Sequence, residues 1–192
     1  MLSLEIPAAI FTLLSVWYAT ERNIWSWLVG ICAVCLFAFI FYKTNLYANF
    51  TLQGIFFIQG IAGIIVWYHN REINEKNKYI KTKIEKLSNK ERFVYITPVL
   101  ILYLIVSYFL SKYTNSAIPY IDSLVATLSL FANYLLVRRK IESWWIWILV
   151  DVIYVGLFFS QGLYVSSVLY LVLLIFSIKG FINWNTTLKS YS

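Results

Sequence analysis

Asp151 stands in the middle of a run that water should not reach, W-W-I-W-I-L-V-D-V-I-Y over residues 144–154. An ionisable side chain inside an apolar segment is expensive, so it either pairs with a neighbouring helix or marks a functional site. At helical spacing Trp144, Trp147, Asp151 and Tyr154 fall on one stripe, because i, i+3, i+7 and i+10 advance along a single face. That face joins π surfaces to a carboxylate. Such a set suits a flat, cationic or hydroxyl-rich ligand through stacking, cation–π attraction and hydrogen bonds.

A second stripe runs through Asp122, Ala126, Ser129 and Asn133. Small and polar residues on one face make either a close helix contact or a cavity wall, and Asn133 is the deepest polar group there. Upstream, Gln53 and Gln59 are amides in apolar sequence. Gln53, Gly60 and Trp67 share a face, whereas Gln59 points about 120° away from Gln53, so the two amides need not reach one cavity. Gly54, Gly60 and Gly63 read as positions of close helix approach. With Trp184, the counterpart of Trp67 in a repeat described below, the candidate substrate-binding set is Gln53, Gln59, Trp67, Asn133, Trp144, Trp147, Asp151, Tyr154 and Trp184.

Other chemistries lack their residues. The chain has no Walker-type glycine loop, no metal-ligand cluster and no nucleophile–base pair, so neither nucleotide hydrolysis nor ordinary catalysis is supported and no cofactor is implied. Cys32 and Cys35 have the spacing of a redox pair but lie inside an apolar helix, where they read as two small lipid- or core-facing residues. His69, the single histidine, falls at a membrane boundary.

The elements that must position these groups are membrane helices. The chain is 60% hydrophobic and 13% charged, with a mean hydropathy of +0.70. No soluble domain of 192 residues buries so much apolar side chain. Spanning helices need about 20 mostly apolar residues, and seven stretches qualify, near 4–20, 24–42, 46–68, 93–111, 118–137, 143–160 and 163–182. Pro7, Pro98 and Pro119 fall near span starts, where a missing N–H costs little. The start, M-L-S-L-E, reads as a spanning segment rather than a removable signal.

The spans repeat. Leu46-Tyr47, Leu52, Gly63 and Trp67 match Leu163-Tyr164, Leu169, Gly180 and Trp184 at an offset of 117 residues, while Trp25-x-Trp27 matches Trp145-x-Trp147 at 120. On that alignment three residues are lost between the two motifs. Duplicated membrane bundles are most often transporters, with substrate held where the repeats face each other. Three helices per repeat is an odd number, so one linker helix restores a common orientation. The expected architecture is all-α and integral to the membrane, seven helices as 3+1+3 parallel repeats: a first bundle over 1–68, a basic loop over 69–92, a linker helix over 93–111 and a second bundle over 112–192.

The loop carries eight Lys/Arg and four Glu. The spacing of Ile73, Ile80, Ile84 and Leu87 fits a short amphipathic helix on the membrane surface as well as it fits a solvated linker. With seven spans, one side of the membrane holds two Lys/Arg and the other fourteen. Positive-inside bias therefore puts the N-terminus outside and the C-terminus in the cytoplasm. The net charge of +7 then anchors to anionic lipid and is not a nucleic-acid footprint. Apart from Lys179, which can snorkel, the spans carry no Lys or Arg, so the expected cargo is neutral or cationic.

The runs W-S-W-L-V-G (25–30), L-Y-A-N-F-T-L-Q (46–53), G-x-x-x-W (63–67) and T-L-S-L-F-A-N-Y-L-L-V-R-R-K-I-E-S-W-W-I-W-I-L-V-D-V-I-Y (127–154), with the second L-Y…G-x-x-x-W (163–184), resemble the PnuC family of bacterial vitamin transporters. The resemblance covers both repeats. It implies an enlarged version of the SWEET-type sugar-transporter fold, a homotrimer in the bacterial inner membrane, and import of nicotinamide riboside by facilitated diffusion with trapping by a cytoplasmic kinase. Relatives that carry thiamine or riboflavin leave the vitamin open. Nicotinamide riboside fits the residues: its flat pyridinium suits tryptophan faces beside a carboxylate. A non-transporting membrane receptor is the rival reading, and it would have no use for Asp151.

Overall fold

In a computed structural model of the chain, residues 2–71, 81–114 and 118–190 are described. They form seven helices: α1 (Leu2–Thr20), α2 (Trp25–Lys43), α3 (Tyr47–His69), α4 (Asn89–Tyr113), α5 (Pro119–Val137), α6 (Glu142–Ser160) and α7 (Tyr164–Ser190). Six are long and apolar enough to cross a membrane, and α1 adds a shorter apolar stretch, Leu4–Thr20. The apolar residues that remain exposed, such as Ile96, Leu100 and Leu104 on α4, then face acyl chains, and the exposed Cys32 and Cys35 sit among them on α2.

Successive helices pack within two units, α1 on α2 on α3 and α5 on α6 on α7. The units meet through α1 against α7 and α3 against α5, and α4 leans on α5. α5, packed on three neighbours, is the most enclosed helix, with Val125, Ala132 and Leu135 fully buried.

The internal correspondence is tighter than the sequence alignment allows. α1 and α5, α2 and α6, and α3 and α7 all start 117 residues apart. Arg22 and Arg139 both take φ 60° in the turns that join the first two helices of each unit. Asn45 and Gly162 share the left-handed position of the next turn, at φ 59° and 74°. No residues are lost between the motifs. The equivalent of Trp27 is Trp144, not Trp147, and the shared W-x-W letters at offset 120 are coincidental. What the fold keeps is an indole beneath a glycine: a Cβ on Gly63 would strike the Trp27 ring, and one on Gly180 would come within 2.6 Å of the Trp144 ring. Gly60 is likewise pressed against Ile31, but Gly54 has nothing within 4 Å and is not a close-approach position.

Residues 81–88 correct a second expectation. They form neither a surface helix nor a solvated linker but an extended strap across the basic end of the bundle, with Thr82, Ile84 and Leu87 buried. Ile73 and Ile80 lie outside the described residues. The turns at this end expose backbone groups that helices cannot satisfy, and the strap pairs with them. Thr82 N–H donates to Arg22 O, Lys83 N–H to Asn70 O, Glu85 N–H to Arg139 O, and Ile141 N–H to Glu85 O. The strap ends in a capping box, Glu91 N–H to Ser88 Oγ and Ser88 N–H to Glu91 Oε2. This starts α4 at Asn89, four residues before the expected span. Pro98 is consequently inside α4, and Pro7 inside α1, rather than at their starts.

Candidate functional site

Three sets of polar contacts between the helices join the units among the described residues: an amide pair, a pair of indole N–H bonds, and the contacts of Lys179 and Asn183 on α7 with Glu21. Near the middle of α3 and about one turn before the end of α5, Asn133 Nδ2 donates to Gln59 Oε1 at 2.8 Å and Gln59 Nε2 donates to Leu130 O at 3.1 Å. Both side chains are only half-buried. A carboxamide pair of this sort is open to exchange: each amide keeps donor and acceptor capacity that a polar ligand could take. Gln53, nearly two turns away on α3, is half-buried.

Toward the basic end the seam is closed by indoles. Trp27, Trp67, Trp184 and Trp144 follow one another with ring centroids 5.4, 6.0 and 5.5 Å apart, the outer two contacts edge to face and the central one tilted. Trp67 Nε1 donates across the seam to Leu136 O at 3.0 Å, and Trp184 Nε1 across it to Ala19 O at 3.1 Å, again 117 residues apart on both donor and acceptor. Ile84 of the strap joins the same cluster. The buried Nε1 atoms of Trp27 and Trp144 have no partner among the described residues. Trp67, Trp144 and Trp184 are thus brought together, but in a sealed cluster rather than around an opening. Trp27, which the candidate set lacks, completes it; its distance of 117 residues from Trp144 was the signal.

Asp151 is placed elsewhere. It is 2% exposed and accepts a 2.8 Å bond at Oδ2 from Ser177 Oγ, between α6 and α7 of one unit. At the equivalent points of the first unit stand Val34 and Gly60, so this polar pair is peculiar to the second. Tyr154 is half-buried in a stack with Phe158 and Tyr170, centroids 5.4 and 4.4 Å away. Trp147 is half-buried on α6. Of the stripe proposed from spacing, Trp144 therefore serves the indole cluster and Asp151 an intra-unit bond.

Charge gathers at the basic end. Lys179 Nζ lies 3.3 Å from the Trp17 ring centre and 3.2 Å from Glu21. A groove of about 520 Å³ there is lined by residues including Arg22, Lys81, Lys179 and Asn183. Glu85 of the strap meets Arg139 at 2.6 Å and Lys140 at 3.1 Å, and Glu91 meets Lys140 at 3.1 Å. Partial burial pushes the Glu85 carboxyl up, but the hydrogen bond from Lys140 and the charges of Arg139 and Lys140 outweigh it and hold it below the usual value.

A family model described as nicotinamide mononucleotide transporter matches residues 2–186. The chain belongs to that family, the PnuC transporters. Its relatives include the nicotinamide riboside transporter PnuC of Escherichia coli (strain K12), 27% identical over 94% of this chain and 84% of that protein. The protein of the same name from Neisseria mucosa is 24% identical over 96% of this chain and 73% of its own length. The fold matches a crystal structure of the vitamin B3 transporter PnuC with a TM-score of 0.81 at 22% identity, over 98% of this chain and 83% of that one. As a PnuC family member the chain is a multi-pass membrane transporter.

Proposed function

We propose that this chain carries nicotinamide riboside across a bacterial inner membrane by facilitated diffusion. The observation that carries the reading is the half-buried Gln59–Asn133 pair at the seam between the units. Amides there can exchange their mutual bond for the carboxamide and ribose hydroxyls of a nicotinamide nucleoside, which otherwise pay about 1–3 kcal/mol for each unmet polar group. The names of its relatives favour the riboside, whereas the family description names the mononucleotide. The charges favour the riboside too. Lys179, the cation farthest from a helix end among the described residues, is already held by Glu21 and Trp17 near the basic end. A phosphate passing the amide pair would lose its water without gaining a counter-charge.

The two three-helix units act as parallel repeats of a SWEET-like kind, with α4 as the linker between them. They rock about the seam, exposing the amides to each side in turn. The basic end is the cytoplasmic one and the N-terminus lies outside, as the two-to-fourteen charge bias requires. Asp151, bonded to Ser177 inside the second unit, favours a cationic pyridinium over a neutral ring through its charge and not by contact. Downstream phosphorylation by a cytoplasmic kinase keeps the inward gradient, and the protein works as a homotrimer.

Titration calorimetry of the purified protein with nicotinamide riboside, nicotinamide mononucleotide, thiamine and riboflavin tests this. Binding of the riboside with no heat from the mononucleotide is expected. Tighter binding of thiamine or riboflavin moves the protein to another vitamin, and binding of the mononucleotide overturns the charge argument.

A further inference from the structure

Among the described residues the strap touches both units, and it touches them unequally. Toward the first unit it makes backbone bonds from Thr82 N–H to Arg22 O and from Lys83 N–H to Asn70 O, with Arg22 Nη1 donating to Thr82 O at 3.2 Å. Toward the second it makes the paired bonds of Glu85 with Arg139 and Ile141, and ion pairs from Glu85 to Arg139 and Lys140. It adds a bond from Leu87 N–H to the Glu142 carboxylate at 3.0 Å. Its C-terminal end runs directly into α4, which packs on α5 of the second unit. Between the two sets of bonds the Ile84 side chain sits in the indole cluster that closes the seam.

If the units separate at this end, one set must break. The bonds to the second unit are the more numerous among the described residues, since Arg139 Nη1 also donates to Lys83 O and Lys140 Nζ to Lys86 O, and from them the chain runs straight into α4. We propose that residues 82–88 are the cytoplasmic gate of the transport path, carried by the second unit, and that inward opening lifts Thr82 off Arg22 and Asn70 and draws Ile84 out from among Trp27, Trp67, Trp184 and Trp144. The gate is reversible because its closed form is not fully satisfied: the Trp27 and Trp144 N–H groups lack partners among the described residues, so opening to water regains hydrogen bonds as apolar contact is lost. This rests on the transport reading above.

Disulfide pairs test it in a Cys32→Ala, Cys35→Ala background. Arg71 and Thr82 face each other across an antiparallel bridge, and Glu85 and Lys140 across a parallel one; both separations suit a disulfide. In proteoliposomes, oxidising the Arg71→Cys/Thr82→Cys pair should cut riboside uptake at least tenfold against its own reduced form, with recovery on adding reductant. Oxidising the Glu85→Cys/Lys140→Cys pair, which replaces the lost ion pairs by a covalent tie to the second unit, should leave uptake no lower than in its reduced form. Uptake that persists under the first cross-link, or that both cross-links block, overturns the gate. If even the parent protein moves no riboside, the substrate reading has failed, and the gate is then judged without substrate. Ile84→Cys should react with a membrane-impermeant maleimide in inverted vesicles and not in right-side-out ones. Labelling from the outside, or from neither side, overturns it.

Discussion

Trp67 and Trp184 pack ring against ring at 6.0 Å, and each sends its indole N–H across the seam to the other unit, to Leu136 O and Ala19 O. Two residues 117 positions apart thus perform the same act in opposite directions. A buried indole must place its N–H somewhere. Here each finds the carbonyl at the last turn of the first helix of the opposite unit, where the helix has a spare acceptor. The seam is therefore held at its basic end by large apolar surface, two indole hydrogen bonds and the contacts of Lys179 and Asn183 with Glu21, and farther from that end by an exchangeable amide pair.

The indole cluster depends on glycines beneath it. Gly63→Ala and Gly180→Ala each drive a methyl group into a Trp27 or Trp144 ring that has no room to retreat. Overpacking of this kind costs about 1–3 kcal/mol. Gly54→Ala meets nothing and should be neutral, or stabilising by about 0.4–1 kcal/mol through the unfolded chain. Thermal melting of the three variants in one detergent checks the order; equal melting points for Gly54→Ala and Gly180→Ala would refute it.

What the sequence made legible follows from what has a short period or a fixed offset. The spans were readable because each is apolar over a full membrane thickness, and the G-x-x-x-W motifs because glycine and tryptophan are rare enough to align. The offset of 120 misled because Trp145 and Trp147 mimic the letters of Trp25 and Trp27, whereas the packing partner of Gly180 is Trp144. The stripe through Trp144, Trp147, Asp151 and Tyr154 has a real face, but helical phase does not say which neighbour that face meets. Asp151 met Ser177, and Trp144 met Trp184. The strap was illegible for a different reason: its fold is dictated by unpaired backbone at three distant turns, and no local pattern in residues 81–88 records that.

Gln59→Ala and Asn133→Ala should each weaken riboside binding, because each leaves a ligand amide or hydroxyl without its partner. A lost buried bond costs about 1–3 kcal/mol, or roughly five- to 150-fold in Kd. The two side chains bond each other, so their effects should be non-additive in the double variant. Calorimetry on the two single variants and the double variant measures the coupling. Strict additivity, or unchanged affinity in either single variant, would remove the pair from the binding site.

Asp151→Asn separates charge from structure. The asparagine oxygen can still accept from Ser177 Oγ, so the α6–α7 contact and the melting temperature should survive. If the carboxylate favours a pyridinium, riboside binding should fall while a neutral dihydropyridine riboside binds as before. Equal loss for both ligands would assign Asp151 a packing role only. Ser177→Ala is the complementary test: it strips the carboxylate of its hydroxyl and should destabilise by about 1–3 kcal/mol.

Glu85 gives the strap a dependence on acid. Its carboxyl titrates below its ordinary 4.5 in the folded protein, since the Lys140 bond and the Arg139 and Lys140 charges outweigh partial burial. A depressed folded value means that the unfolded chain takes up the proton first as pH falls. The stabilisation is complete above about pH 4.5 and disappears as pH drops through the folded value. Because the Glu85 side chain is 46% exposed, solvent screening limits the contribution to about 1 kcal/mol or less. Melting temperatures measured from pH 7 down to pH 3 should therefore fall more steeply for the native protein than for Glu85→Gln, with the two curves converging at the acid end. Parallel curves would mean that the ion pairs with Arg139 and Lys140 add nothing to holding the strap on the second unit.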